Sequence, residues 1–134
     1  MPDDSDLPDG ADGRRGFADL VGLEIEAIDA GYSRGTLDVE ERLLNPYGGL
    51  HGAALYALAD TGMGAALVEV LEEGERMATI EIKISYLRPV TEGTVTCETT
   101  MLNRGQSVAY LESDLENDGR QVARATGSFS IFDL

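Results

Sequence analysis

The chain has 134 residues and a mass of 14.3 kDa, 43% hydrophobic and 26% charged, which suits one compact domain and excludes a multidomain enzyme. Asp plus Glu total 25 against 10 Lys plus Arg, a net charge of -15, so nucleic acid and anionic membrane are excluded as default partners. Lys83 is the only lysine beside nine arginines, and this acidic, lysine-poor surface matches a salt-adapted, halophilic cytoplasm.

Residues 1–16 contain five aspartates, three glycines and two prolines with almost nothing to bury, and are expected to form a disordered acidic tail before a domain at 17–134. Arg14-Arg15-Gly16-Phe17 superficially matches a twin-arginine export signal, but Asp19, Gly22 and Glu24 interrupt what would be its apolar region, so the protein is expected to stay cytoplasmic. Strand patterns at 23–28 and 33–39, split by Ala30-Gly31, predict a hairpin. Asn45-Pro46-Tyr47-Gly48-Gly49 is turn chemistry. Helical spacing then runs over 52–71, with small residues on nearly every side, which predicts one long helix wrapped by other elements. The stretch 50–70 carries His51, Asp60 and Glu69, so it is not a membrane span.

Beyond the helix, Ala78, Ile80, Ile82, Ile84 and Tyr86 alternate with Thr79, Glu81, Lys83 and Ser85, which predicts a strand with one buried face. Val95, Cys97, Thr99 and Met101 continue the period of two. Asn103-Arg104-Gly105-Gln106 and Asn117-Asp118-Gly119-Arg120 stand at hairpin spacing between further strands. The fold class is α+β, one long helix against an antiparallel sheet.

Between Leu43 and Val68 only Asp60 is formally charged. A lone carboxylate on an otherwise apolar helix is either solvent-facing or functional, because burying it idly is costly. His51-Gly52 at the helix start offers free backbone N–H groups to an oxyanion, although an ordinary loop-to-helix junction has the same residues. Nine residues separate His51 from Asp60, about 180° around a helix, so if both are catalytic the simplest arrangement is a site shared between subunits. One cysteine and one histidine exclude a disulfide scaffold and the usual zinc ligand set; no metal site is expected. Cys97 reads as core, no Gly-x-Ser-x-Gly elbow is present, and no nucleotide-cofactor fingerprint appears.

Asn45-Pro46-Tyr47-Gly48-Gly49-Leu50-His51-Gly52-Ala53 followed by Ala57-Leu58-Ala59-Asp60-Thr61 closely resembles the signature of hotdog-fold acyl-CoA thioesterases, nearest to the PaaI-like phenylacetyl-CoA group. Ile-Lys-Ile-Ser-Tyr-Leu-Arg-Pro at 82–89 and the segment 103–109 are similar to later parts of that family. The resemblance implies a sheet wrapped around the central helix, dimers pairing into tetramers, and composite sites. It implies that Asp60 is nucleophile or general base, that the Gly52 N–H polarises the thioester carbonyl, and that Asn45 and His51 shape the site. Thr79 matches a position that holds the attacking water. The implied substrate is a small aryl- or acyl-CoA, with coenzyme A as part of the substrate and no separate cofactor. Tyr47, Tyr56, Met63 and Tyr86 are expected to shape the acyl pocket, and Arg88 and Arg104 are candidate phosphate contacts. Two residues depart from the pattern: Ala53 replaces a second glycine, and Gln106 stands where a cation often holds coenzyme A. The rival readings are a non-catalytic acyl-CoA-binding module and a hotdog hydratase or dehydratase using His51.

Overall fold

A computed structural model describes residues 16–134; the segment expected as an acidic tail otherwise lies outside the described residues. A short helix α1 (Phe17–Val21) leads into β1 (Leu23–Asp29) and β2 (Tyr32–Asp38). A three-residue 3-10 turn precedes the long helix α2 (Gly52–Val68), followed by β3 (Glu75–Tyr86), β4 (Thr94–Arg104), β5 (Val108–Asn117) and β6 (Arg120–Asp133). The six strands form one antiparallel sheet in the order β1-β2-β4-β5-β6-β3, with α2 packed on one face. This is the expected sheet around a central helix.

Local chemistry explains the joints. Asp118 and Gly119 both have positive φ, 55° and 73°, as a two-residue hairpin turn requires. Helix α2 stops at Val68 rather than residue 71, because the Val70 and Leu71 N–H groups bond only three residues back, to Leu67 and Val68. That tightened turn redirects the chain toward β3. Helix α1 is too short to show periodicity in the sequence. It buries Ala18 and Val21, and the Arg42 guanidinium, 21 residues or more along the chain, caps its Leu20 and Val21 carbonyls.

The core forms between α2 and the sheet, where Leu58, Met63 and Leu67 meet Val95, Leu111 and Leu115, all fully buried. Each such side chain contributes roughly 1.5–3 kcal/mol of transfer free energy. Glycines let the layers approach: a Cβ on Gly127 would lie 2.5 Å from Met63 Sδ, so Gly127 makes the room that Met63 fills.

The predicted uniform alternation along β3 fails at one point. Met77 packs on the core opposite Ile131, and Ile82 and Ile84 pack on it opposite Gly127 and Ala125, although 77 is odd and 82 is even. A bulge between Thr79 and Glu81 absorbs the difference, leaving Ile80 unpaired. Ala78 therefore points away from the helix, and Thr79, which simple alternation sends outward, shares the inner face with Met77.

Candidate active site

The loop before α2 is held by its own residues. Asn45 Oδ1 accepts the N–H groups of Tyr47 (2.9 Å) and Gly49 (3.2 Å), and the Asn45 N–H bonds back to the Gly49 carbonyl at 2.7 Å. The Leu50 N–H is tied to Val90 and the His51 N–H to Leu43. Asn45 thus shapes the loop that delivers His51 to the helix start. His51 is the N-cap: its Nδ1 accepts the Ala53 N–H at 2.9 Å, and its carbonyl accepts the Ala54 N–H. With Nδ1 an acceptor, the neutral ring carries its proton on Nε2.

Capping leaves one first-turn donor over. Among the described residues no acceptor takes the Gly52 N–H, which sits at the positive end of the helix. The Tyr86 hydroxyl donates to the Gly52 carbonyl at 2.8 Å, and a Cβ on Gly52 would lie 2.9 Å from the Tyr86 ring. A side chain at position 52 would therefore displace the Tyr86 ring, 34 residues away, before any substrate arrives. Burial, and then the neighbouring Tyr56, raise the Tyr86 phenol above its ordinary range, which keeps its proton available for that bond. In the sequence Tyr86 reads as a member of an alternating strand and as one of the aromatics expected to shape the pocket; no local signal marks its contact with Gly52.

Gly52, Tyr56 and Asp60 follow one another at helical spacing of four and leave an open stripe along α2, while eleven of its seventeen residues are buried. Asp60 is half-buried on that stripe, and the Thr79 hydroxyl donates to its Oδ1 at 2.9 Å. Among the described residues no cation pairs with Asp60. One hydroxyl donor leaves most of the carboxylate's acceptor sites open to water or an electrophile. Eight residues of α2 separate Gly52 from Asp60, a rise of about 12 Å. A reacting carbonyl must lie roughly 3 Å from both its oxyanion donor and its nucleophile, so one chain does not bring the two together on one substrate.

Some expected substrate residues are placed elsewhere. Met63 is fully buried beneath Gly127 and presents no accessible wall, because its helical position faces the sheet rather than the stripe. Arg104 is committed: it forms a 2.6 Å ion pair with Glu75 and also donates to the Gly105 and Gln106 carbonyls, so it is not a free phosphate contact. Tyr47 is 98% exposed and Tyr56 partly so. Arg88 donates one N–H to the Gln121 carbonyl and is exposed, with donors to spare. Cys97 is buried, and desolvation pushes its thiol up to about 11, so it stays an inert core residue as expected.

Comparison with known proteins gives a consistent picture. The sequence profile of the thioesterase superfamily matches residues 47–124. An esterase-named protein of Haemophilus influenzae is 34% identical over 102 residues, covering 76% of this chain and 74% of that protein. The conserved protein PA5202 of Pseudomonas aeruginosa superposes with a TM-score of 0.83 at 28% identity, over 93% of this chain and 100% of that one. A thioesterase-type structure from Ralstonia eutropha, described as phenylacetic acid degradation-related, gives 0.78 at 30% identity, over 84% and 87%.

Proposed function

Since the chain belongs to the thioesterase superfamily and is a thioester hydrolase of the hotdog fold, we propose that it hydrolyses small aryl- or acyl-CoA thioesters to free acid and coenzyme A, with Asp60 doing the chemistry. The observation that carries this reading is the Asp60 carboxylate, alone on the open stripe of α2 with the Thr79 hydroxyl as its partner. In the proposed reaction Asp60 takes a proton from water as the water oxygen bonds to the thioester carbon. The Gly52 N–H receives the negative charge that builds on the carbonyl oxygen, worth on the order of 100- to 1,000-fold in rate. The tetrahedral intermediate then collapses with loss of the C–S bond, and the proton passes to the departing thiolate. Direct attack by Asp60, with hydrolysis of the resulting anhydride, uses the same residue in the same place.

The axial gap between Gly52 and Asp60 supports a site built from two copies, Asp60 from one chain and the helix start from the other. Strand β3 is an outer strand of the sheet, twelve residues long, with Ile80 55% exposed beside the bulge. An edge that long is a natural place for a second copy to pair. We place the protein as a homodimer, pairing further to a homotetramer, in a salt-rich cytoplasm, with Arg88 as the remaining candidate for a coenzyme A phosphate.

The test is coenzyme A release from a panel of aryl- and acyl-CoA thioesters in high salt, by wild type, Asp60→Asn and His51→Ala. Asp60→Asn should lose about 100- to 10,000-fold in kcat. Tight acyl-CoA binding without turnover in the wild type would favour a binding module, and hydration of an enoyl-CoA without coenzyme A release, surviving Asp60→Asn but not His51→Ala, would favour a hydratase-type site.

A further inference from the structure

Among the described residues the core contains three buried polar side chains, Ser33, Thr99 and Ser113, each fully inaccessible. They are cross-strand neighbours: Ser33 stands opposite Thr99 on β4, and Thr99 opposite Ser113 on β5. The three hydroxyls therefore make one row across the middle of the sheet. Thr99 and Ser113 are 2.7 Å apart, and Ser33 donates to the carbonyl of Gly62 at 2.6 Å. A Cβ on Gly62 would lie 2.9 Å from Thr99 Oγ1, so the helix rests directly on the row.

Gly62 is two residues after Asp60, in the same turn. The face it belongs to is lined by small residues, Ala59 and Ala66 among them, and apolar packing of that kind is non-directional and resists sliding or rotation weakly. A buried hydrogen bond is directional and costly to break. Backbone or hydroxyl ties at Gly52 (Tyr86) and Ala66 (Gly31 N–H) hold the two ends of α2; in the turn that carries Asp60, Thr79 bonds the carboxylate itself and Ser33 ties the helix backbone to the sheet.

We propose that Ser33 is a positioning residue for the reaction: its bond to the Gly62 carbonyl, on the row it shares with Thr99 and Ser113, fixes the axial and rotational setting of α2 that brings Asp60 to Thr79. This rests on the reading of Asp60 as the reacting carboxylate. Displacement of a catalytic group by about 1 Å costs on the order of 100-fold, so Ser33→Ala should lower kcat roughly 10- to 100-fold while KM stays within about twofold. In an Asp60→Asn background the same change should have no further effect, because there is no carboxylate left to misplace. A merely structural serine would lower the melting temperature and leave kcat of the folded enzyme unchanged, or would reduce both backgrounds by one factor; either result overturns the proposal.

Gly62→Ala provides a second route if Ser33→Ala does not fold. Alanine is the better helix former, yet its methyl must push α2 off Thr99, so kcat should fall, and Thr99→Ala in the same chain should restore most of it. Unchanged kcat in Gly62→Ala overturns the proposal. A folded wild type with no thioesterase activity, or an active Asp60→Asn, sinks the functional reading and this role together. Asp60-dependent activity that ignores Ser33 sinks this role alone.

Discussion

Gly52 meets two demands that act on different sides of one residue. Its N–H has no acceptor among the described residues, and its Cα lies under the Tyr86 ring so closely that a Cβ would sit 2.9 Å from Cζ. Gly52→Ala should therefore turn Tyr86 away or shift the first turn, and kcat should drop about 10- to 100-fold without loss of the fold. Shortening the obstacle tests the cause: Gly52→Ala with Tyr86→Ala should regain part of the lost rate, as judged by steady-state kinetics beside circular dichroism. Both variants equally impaired would mean that the N–H itself, not the crowding, is disturbed. Asp60 was legible in the sequence because a single charge in 26 residues stands out. Tyr86 was legible only as an aromatic near the pocket, since its bond to Gly52 joins positions 34 residues apart.

At the scale of elements, β3 shows how one extra residue redirects a side chain. With Ile80 taken out of register, Met77 and Thr79 face the helix together with Ile82 and Ile84. Deleting Ile80 removes the extra residue, so Thr79 and Ile82 become two positions apart and Met77, Thr79, Ile82 and Ile84 all keep the inner face in a regular ladder. The deletion variant should therefore fold with β3 in its present register, as should Ile80→Ala, since Ile80 is half exposed. Thermal melts of the two variants decide this, and a deletion variant that unfolds far below the wild type would show that the register depends on the extra residue. The helix itself was predicted from its spacing and found, apart from its last turn; the bulge was not, because it depends on which residues of β6 lie opposite.

For the whole molecule, the proposed two-copy site is tested by mixing variants. A preparation of Asp60→Asn mixed, under conditions of subunit exchange, with a Gly52→Val chain should recover up to about a quarter of wild-type activity, because half of the dimers are hybrids with one intact site each. Neither variant alone should be active, and a mixture no better than its parts would argue for a site within one chain. The acidic charge is spread over the outer sheet face, where Glu98, Glu112, Asp114 and Glu116 line a groove between β4 and β5 and Arg34 and Arg124 offset only part of it. Such exposed repulsion is screened by salt, so the copies should associate more readily in salt than without it.

The sequence by itself determined the α+β class, the order of helix and strands, the hairpin turn at Asp118-Gly119, the lone carboxylate and the loop that leads into the helix, because periodicity, turn chemistry and charge isolation are all local. It determined the excess of negative charge as well. The tertiary structure decided that Thr79 meets Asp60, that Tyr86 closes on Gly52, that Met63 is core and Arg104 is engaged, and that three hydroxyls line up beneath Gly62. Each of these pairs positions far apart in the chain, and which partners meet is set by strand order, register and one bulge, none of which is a property of a short stretch of sequence.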